Sequence, residues 1–170
     1  MKNLNTTKLF FIWLMLLTLT SIGCTTNNVN TVVDEWKQVE VILSRITPPV
    51  FKESVFDITL YGAIGDGKTD CTQAFESAIE DCASAGGGKV IVPGGIFITG
   101  AIHLKSNVNL YLSENAIVKF SEEKEKYLPL VFSRWEGVEC MNYSALIYAY
   151  EQENIAITGT GVLDGQGSNE

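Results

Sequence analysis

The sequence predicts an all-β fold in which short strands follow one another as the stacked coils of a solenoid. From residue 89 onward the chain consists of short runs rich in β-branched and aromatic residues, separated by Gly, Asn and Ser. Two segments, NVNLYL at 107–112 and NIAITG at 154–159, also share a pattern in which an Asn precedes apolar residues at alternate positions. Stacked coils require such a repeat, although a sheet of hairpins fits it as well.

Each predicted strand is only a few residues long. The strands are expected at residues 57–61, 90–92, 96–99, 101–104, 108–112, 116–120, 146–150 and 155–158. Because no second long amphipathic run separates the later strands, a doubly wound α/β fold is disfavoured. The Asn at the start of each repeat can adopt a left-handed turn and align with its counterpart in the next coil, while the alternating apolar residues fill the interior.

One helix is predicted ahead of these strands, over residues 70–84. Thr69 or Asp70 can cap its N-terminus, and Gln73 stands at capping-box spacing from Asp70. The glycines at 86–88 end it by supplying left-handed conformations. Its buried face is expected to carry Ala74, Phe75, Ala78, Ile79 and Cys82.

The first 23 residues have the three parts of a secretory signal peptide. Lys2 and Lys8 make its start positive, and the apolar residues 9–19 are too few to span a bilayer comfortably. The small residues Ser21 and Gly23 then flank a cleavage point. We therefore expect an exported protein, located in the periplasm or at the outer membrane or cell surface as a lipoprotein, and otherwise secreted.

Cys24 is the expected point of lipid attachment. The segment LTSIGC at 19–24 is similar to the lipobox of bacterial lipoproteins, although Ser21 stands where those sequences favour Leu. Ordinary cleavage with a soluble product is the alternative. If Cys24 is lipidated, the polar residues 24–30 form a tether between the membrane and the rest of the chain.

Residues 31–54 are expected to form an N-terminal helix and a linker. Apolar residues recur at spacings of three and four, which predicts one apolar stripe on a helix over 31–47, and Pro48-Pro49 ends the helix. The stripe consists of Val32, Trp36, Val39, Leu43 and Ile46.

The letters GAIGDGKT at 62–69 match the phosphate-loop pattern GxxxxGK[ST]. Asp66 and Asp70 would place carboxylates against a polyphosphate, and an exported protein has no nucleotide supply. We therefore expect a turn that leads into the helix cap.

Composition excludes some partners and cofactors. Acidic residues number 20 against 12 basic ones, a net charge of −8, so nucleic acid is not an expected partner. Cys71, Cys82 and Cys140 are an odd set after the lipobox cysteine, which argues against a disulfide framework and for small buried residues. No spacing of Cys, His, Asp or Glu resembles a metal site, and no cofactor is expected.

Residues 57–97 (DITLYGAIGDGKTDCTQAFESAIEDCASAGGGKVIVPGGIF) resemble the opening of the pectate-lyase-like parallel β-helix proteins. In that superfamily the short helix caps the open N-terminal end of the solenoid. The resemblance implies a right-handed parallel β-helix in which residues 55–170 form the N-terminal cap and the first coils.

Later segments are similar to glycoside hydrolases of family 28. They are IHLKSNVNL at 102–110, RWEGVEC at 134–140, NYSALIYA at 142–149 and NIAITGTGVLDGQG at 154–167. The resemblance implies an exported polygalacturonase that hydrolyses α-1,4-galacturonosyl linkages in pectin with inversion, with pectic polysaccharide or oligogalacturonide as its partner. A lyase or epimerase of the same fold and a non-catalytic, glycan-binding tailspike-like protein are the alternatives.

The family's catalytic signatures are absent from the sequence. These are an Asn-Thr-Asp-Gly-x-Asp run, an Asp-Asp pair, a Gly-His-Gly and an Arg-x-Lys, and none occurs in the chain. In the family they lie further along, so the catalytic residues are expected downstream of Glu170 and this chain alone is expected to be inactive. His103 belongs to the IHLKSN segment and is expected to be structural. No substrate-binding residue is assigned.

Overall fold

The computed structural model describes residues 36–167, which fall into two compact units that divide between Thr47 and Pro48. The first unit contains helix α1 (Lys37–Leu43), none of whose residues is buried. Within the described residues α1 is shorter than the helix predicted over 31–47. The signal peptide, Cys24 and the tether lie outside the described residues.

The second unit is a parallel β-helix whose strands pair with the equivalent strands of the coils before and after. Its helix is α2 (Thr72–Ser84), and two short 3-10 helices lie at Ile58–Tyr61 and Lys124–Tyr127. Its strands are β1 (Val55–Asp57), β2 (Asp66–Asp70), β3 (Gly88–Val92), β4 (Gly95–Thr99), β5 (Ile102–His103), β6 (Val108–Leu112), β7 (Ala116–Phe120), β8 (Val131–Trp135), β9 (Val138–Asn142), β10 (Ile147–Tyr148), β11 (Ala156–Gly159) and β12 (Val162–Asp164).

Three parallel sheets form the faces of the β-helix. Sheet A has the order β1-β3-β6-β11, sheet B the order β2-β4-β7-β12, and sheet C consists of β5 and β10. Gly88 pairs with Val108 in sheet A, and Gly95 pairs with Ala116 in sheet B, in parallel register. Parallel pairing one coil apart confirms the predicted solenoid over the hairpin alternative. The remaining pair, β8–β9, is an antiparallel hairpin.

The interior is filled by the alternate residues of the stacked strands. Every second side chain along β3, β6 and β7 is buried, whereas the side chains between them are more exposed. The buried set is Val90, Val92, Val108, Leu110, Leu112, Ala116, Val118 and Phe120. This alternation confirms the predicted packing of apolar residues inside the coils.

Helix α2 occupies the place of a third strand in the first coil, between β2 and β3. Its buried residues are those predicted: Ala74, Phe75, Ala78, Ile79 and Cys82. Asp70 accepts hydrogen bonds from the Thr72 N–H at 2.9 Å and the Thr72 hydroxyl at 2.5 Å. Asp70 thus satisfies one free N–H of the first turn, whereas Gln73 bonds to Glu76 and Ser77 instead of completing a capping box.

Two local predictions are wrong, and one element was missed. The strand expected at 57–61 is mostly the first 3-10 helix, because Asp57 caps the Thr59 N–H. The turn expected at 62–70 contains strand β2, which has no apolar pattern and forms by pairing with β4. The hairpin β8–β9 was not predicted.

The cysteines differ in their surroundings. Cys71 and Cys82 are buried and Cys140, on β9, is half-buried, and all three are free thiols. The prediction of small buried residues therefore holds for Cys71 and Cys82 and not for Cys140. Within residues 36–167, no helix combines the length and hydropathy needed to cross a membrane.

Candidate functional site

The outward face of sheet C carries a cluster of polar and aromatic side chains. In this sheet Ile102 pairs with Ile147, and His103 with Tyr148. Ile102 is buried, so the next residue on each strand points outward. The His103 and Tyr148 rings lie 5.3 Å apart at 53°, which makes a continuous surface across two coils.

His103 is tied to the chain that enters β10. Its Nε2 lies 3.0 Å from the hydroxyl of the buried Ser144, and that hydroxyl donates to the Ala145 carbonyl at 2.9 Å. Since a serine hydroxyl has one proton, His103 is assigned as the donor. Burial lowers the pKa of His103, and the Lys105 cation lowers it further against an opposing effect of Glu76. His103 is therefore neutral near pH 7.

Residues 121–146 form an insertion between β7 and β10, that is, at the edge of sheet C. Its first half is anchored by Lys126, whose carbonyl accepts from the Ala101 N–H at 3.3 Å and whose ammonium pairs with Asp70. A Cβ at Gly100 would lie 2.7 Å from the Lys126 carbonyl oxygen. Only glycine at position 100 therefore allows this close approach.

The second half of the insertion is the β8–β9 hairpin, which packs against sheet C. Its two-residue turn, Glu136-Gly137, has φ values of 48° and 88°, as a type I′ turn requires. The Tyr148 hydroxyl donates to the Phe132 carbonyl at 2.8 Å. The Phe132 and Tyr150 rings meet edge to face at 5.2 Å and 60°.

One face of the hairpin carries Arg134 beside Phe132. The Arg134 Nε donates to the Gly137 carbonyl at 3.3 Å. Glu139 stands directly opposite Arg134 in register, yet within residues 36–167 the two form no ion pair. The pKa of Tyr150 is raised chiefly by the charge of Glu151 and its hydrogen bond, with a smaller contribution from Glu139. Arg134 and Glu139 therefore belong to the hairpin face that meets Tyr150.

A cleft of about 310 Å³ lies at the end of the sheet C face nearest helix α2. Ile79 and Ile102 form its apolar part, and His103 lies at its side. Lys105 pairs with Glu80 across 3.5 Å at its rim. The face that begins at Tyr150 thus continues past His103 and ends against the capping helix.

The arrangement can bind a ligand along an aromatic face. No group of three or more His, Cys, Asp or Glu in residues 36–167 could hold a metal ion. The sequence had singled out RWEGVEC and NYS without assigning them a role. The structure brings Ser144 of NYS against His103 and places RWEGVEC on the hairpin that contacts Tyr148 and Tyr150 through Phe132. The contributions of Phe132, Tyr148 and Tyr150 were missed, because only strand pairing shows that they share a face.

Several known proteins that are similar to this chain in sequence and fold are polygalacturonases. No model of a protein family matches the chain. The exo-poly-α-D-galacturonosidase of Dickeya chrysanthemi is 33% identical over 153 residues, which are 85% of this chain and 23% of that protein. The hyperthermoactive exopolygalacturonase of Thermotoga maritima is 47% identical with a TM-score of 0.74, over 79% of this chain and 30% of that one. The family 28 exopolygalacturonase of Yersinia enterocolitica is 35% identical with a TM-score of 0.59, over 68% of this chain and 21% of that one.

Sequence and fold together define the class of protein. The chain is a parallel β-helix protein of the pectate-lyase-like superfamily. It is similar in sequence and fold to polygalacturonases, one of them an exopolygalacturonase of family 28. The chain spans about a quarter of the length of the curated relatives it matches.

Proposed function

We propose that this chain forms the N-terminal cap and first coils of an exported polygalacturonase-like hydrolase, which cleaves α-1,4-galacturonosyl linkages in pectin. The observation that supports this best is the 47% identity and TM-score of 0.74 with an exopolygalacturonase across 79% of the chain. Parallel coils hold the side chains of one face in fixed register, so a face such as sheet C can orient a polysaccharide along the solenoid axis.

Inverting hydrolysis needs two carboxyl groups about 6.5–9.5 Å apart, one to protonate the leaving oxygen and one to activate water. The family's signatures for these carboxylates do not occur in this sequence. In the proposed enzyme, the described coils bind and orient the glycan, and further coils supply the acid and the base.

The gene sequence beyond codon 170 provides the first test. An Asn-Thr-Asp-Gly-x-Asp run followed by an Asp-Asp pair in the same reading frame would support the hydrolase. The full gene product should then release reducing sugar from polygalacturonate, and NMR of the first product should show an inverted anomeric centre. If a folded full-length product does not turn over polygalacturonate, the proposal is wrong.

The same assay separates the alternatives. A lyase would form an unsaturated uronate with ultraviolet absorbance and no net uptake of water. An epimerase would change the stereochemistry of the polymer without shortening it, and a glycan-binding protein would retain the polymer without altering it.

We also propose that residues 1–23 are a signal peptide and that Cys24 is lipidated, with residues 24–30 as a tether and 31–54 as a helix and linker. The apolar residues 9–19 and the lipobox-like LTSIGC support this. The protein would then sit in the periplasm or on the outer membrane or cell surface.

Growth of the producing cells with an alkyne fatty acid tests the lipid. The protein should become labelled and partition with membranes, and Cys24→Ala should abolish both. Label that persists in Cys24→Ala rules out attachment at this cysteine, and an unlabelled, exported wild-type protein indicates ordinary cleavage.

A further inference from the structure

We propose that Arg134 on the β8–β9 hairpin is a specificity-determining residue, which binds the carboxylate of a uronic acid unit lying against Phe132 and Tyr150. The inference rests on the proposed function for the identity of the glycan. It adds a residue and a surface that neither the family's catalytic signatures nor the sequence pattern assigns.

The first argument is the shape of the surface. The hairpin is fixed to sheet C by the Tyr148–Phe132 hydrogen bond of 2.8 Å and by the Phe132–Tyr150 ring contact. Tyr150 remains 47% exposed and Phe132 38% exposed. Two rings that meet edge to face and keep open surface offer an apolar platform to the C–H face of a sugar ring.

The second argument is charge. The chain carries a net charge of −8, which repels a polyuronate, so binding needs a cation placed at the platform itself. Arg134 follows Phe132 by two positions and thus shares its side of the hairpin. Its single contact within residues 36–167 uses Nε, to the Gly137 carbonyl, and the outer guanidinium N–H groups remain available for a carboxylate.

The third argument concerns Glu139. It faces Arg134 across the hairpin without forming an ion pair, and its charge reaches the Tyr150 phenol. Glu139 should therefore oppose the binding of a uronate at the same place. Substitutions of Arg134 and Glu139 are accordingly expected to act in opposite directions.

The experiment compares two trimeric substrates on the full gene product: trigalacturonate and its fully methyl-esterified form. Arg134→Ala should reduce the preference in kcat/KM for the acid over the ester by about ten-fold, the usual effect of losing a charge-assisted contact. Arg134→Lys should retain part of the preference, and Glu139→Gln should increase it. Lys119→Ala, on the outward side of sheet B, makes the same change in net charge and should leave the preference unchanged.

Equal loss on both substrates, or no loss, in a folded Arg134→Ala protein overturns the inference. A wild-type protein that turns over neither substrate contradicts the proposed function instead. In that case calorimetric titration of the same proteins with trigalacturonate still decides the question: Arg134→Ala should bind about ten-fold more weakly than Lys119→Ala, and equal affinities reject the assignment.

Discussion

The side-chain amide of Asn154 donates a hydrogen bond of 3.0 Å to the side-chain oxygen of Asn107, one coil earlier. Both residues are left-handed, with φ values of 53° and 65°. In the preceding coil the same position is Gly87, at φ 102°. Three successive coils therefore turn the same corner in the same backbone conformation, and the two asparagines link their side chains as the sequence repeat predicted.

Asn154→Ala should lower the free energy of unfolding by about 2 kcal/mol. The substitution removes the hydrogen bonds to the Asn107 side chain and to the Val50 carbonyl, and it places alanine in a left-handed conformation; together these changes cost roughly this amount. Asn154→Gly should recover about half, because glycine accepts the conformation but not the hydrogen bond. Urea denaturation of the full gene product measures the differences.

Asn142→Ala is the control, since among the described residues the Asn142 side chain hydrogen-bonds only to the adjoining Tyr143 N–H. Its free energy of unfolding should lie within about 0.5 kcal/mol of the wild-type value. If Asn154→Ala has the same free energy of unfolding as Asn142→Ala, the asparagine pair contributes no measurable stability.

The contrast between Asn107 and the hairpin shows what the sequence could reveal. The Asn repeat, the alternating strands and helix α2 were predictable because each buries a periodic apolar face, as Ala74 and Leu110 illustrate. The hairpin buries no such face: Trp135 and Val138 are 67% and 66% exposed. Its one signal was a two-residue turn containing Gly137, which is weak without flanking alternation.

Strand β2 and the sheet C face could not be predicted for a different reason. Asp66–Asp70 (DGKTD) is polar throughout, and it becomes a strand only because β4 of the next coil pairs with it. Likewise, His103 and Tyr148 are far apart in sequence and meet through coil stacking. Long-range pairing leaves no mark on local composition, so the candidate site emerged only from the fold.

Gly159→Ala should prevent correct stacking of the last described coil. Gly159 has φ 103°, and a Cβ there would overlap the carbonyl group of Leu112 in the coil beneath. Backbone cannot yield as a flexible side chain can, so we expect loss of soluble protein or a fall in stability of about 3 kcal/mol or more. Soluble yield and Tm are the measurements.

Gly62→Ala separates conformation from overlap. Gly62 has a similar φ of 94°, but nothing lies within 4 Å of the position of its Cβ. It should cost only the left-handed strain, about 1–2 kcal/mol. Equal effects of the two substitutions would show that the close approach to Leu112 is unimportant.

Thiol labelling should distinguish the three described cysteines. Burial raises the pKa of Cys82 to about 11, and burial, partly offset by hydrogen bonds, raises that of Cys71. Because the thiolate is the reactive form, both should resist iodoacetamide at pH 8. Cys140, half-buried on the hairpin, should react first.

Peptide mass spectrometry after brief labelling measures the order. Labelling in denaturant, where all three sites should be modified, is the control. Native labelling of Cys82 as fast as that of Cys140 would contradict the packing of helix α2 on the core.

The Asp70–Lys126 pair should make the attachment of the insertion depend on pH. Burial alone would raise the pKa of Asp70, but hydrogen bonds from Lys126 and Thr72 outweigh it and lower the pKa below its ordinary value of 3.8. The pair raises the pKa of Lys126 above 10.5. Because folding lowers the pKa of Asp70, its carboxylate stabilises the fold above pH 3.8. This contribution is lost as the pH falls through the folded-state pKa. Because folding raises the pKa of Lys126, its ammonium stabilises the fold below pH 10.5. This contribution is lost as the pH rises through the folded-state pKa.

Asp70→Asn removes the charge while its side-chain oxygen can still accept from Thr72. Its Tm should lie slightly below that of wild type between about pH 5 and 9, because the pair is more than a third exposed and solvent screens it. The difference should shrink as the pH falls below 3.8 and through the lowered pKa of Asp70, and Lys126→Gln should behave alike. Glu114→Gln, on an exposed turn, serves as the charge control. A wild-type minus Asp70→Asn difference that grows toward low pH would show that Asp70 is stabilised in its protonated form, which is opposite to the pairing with Lys126 described here.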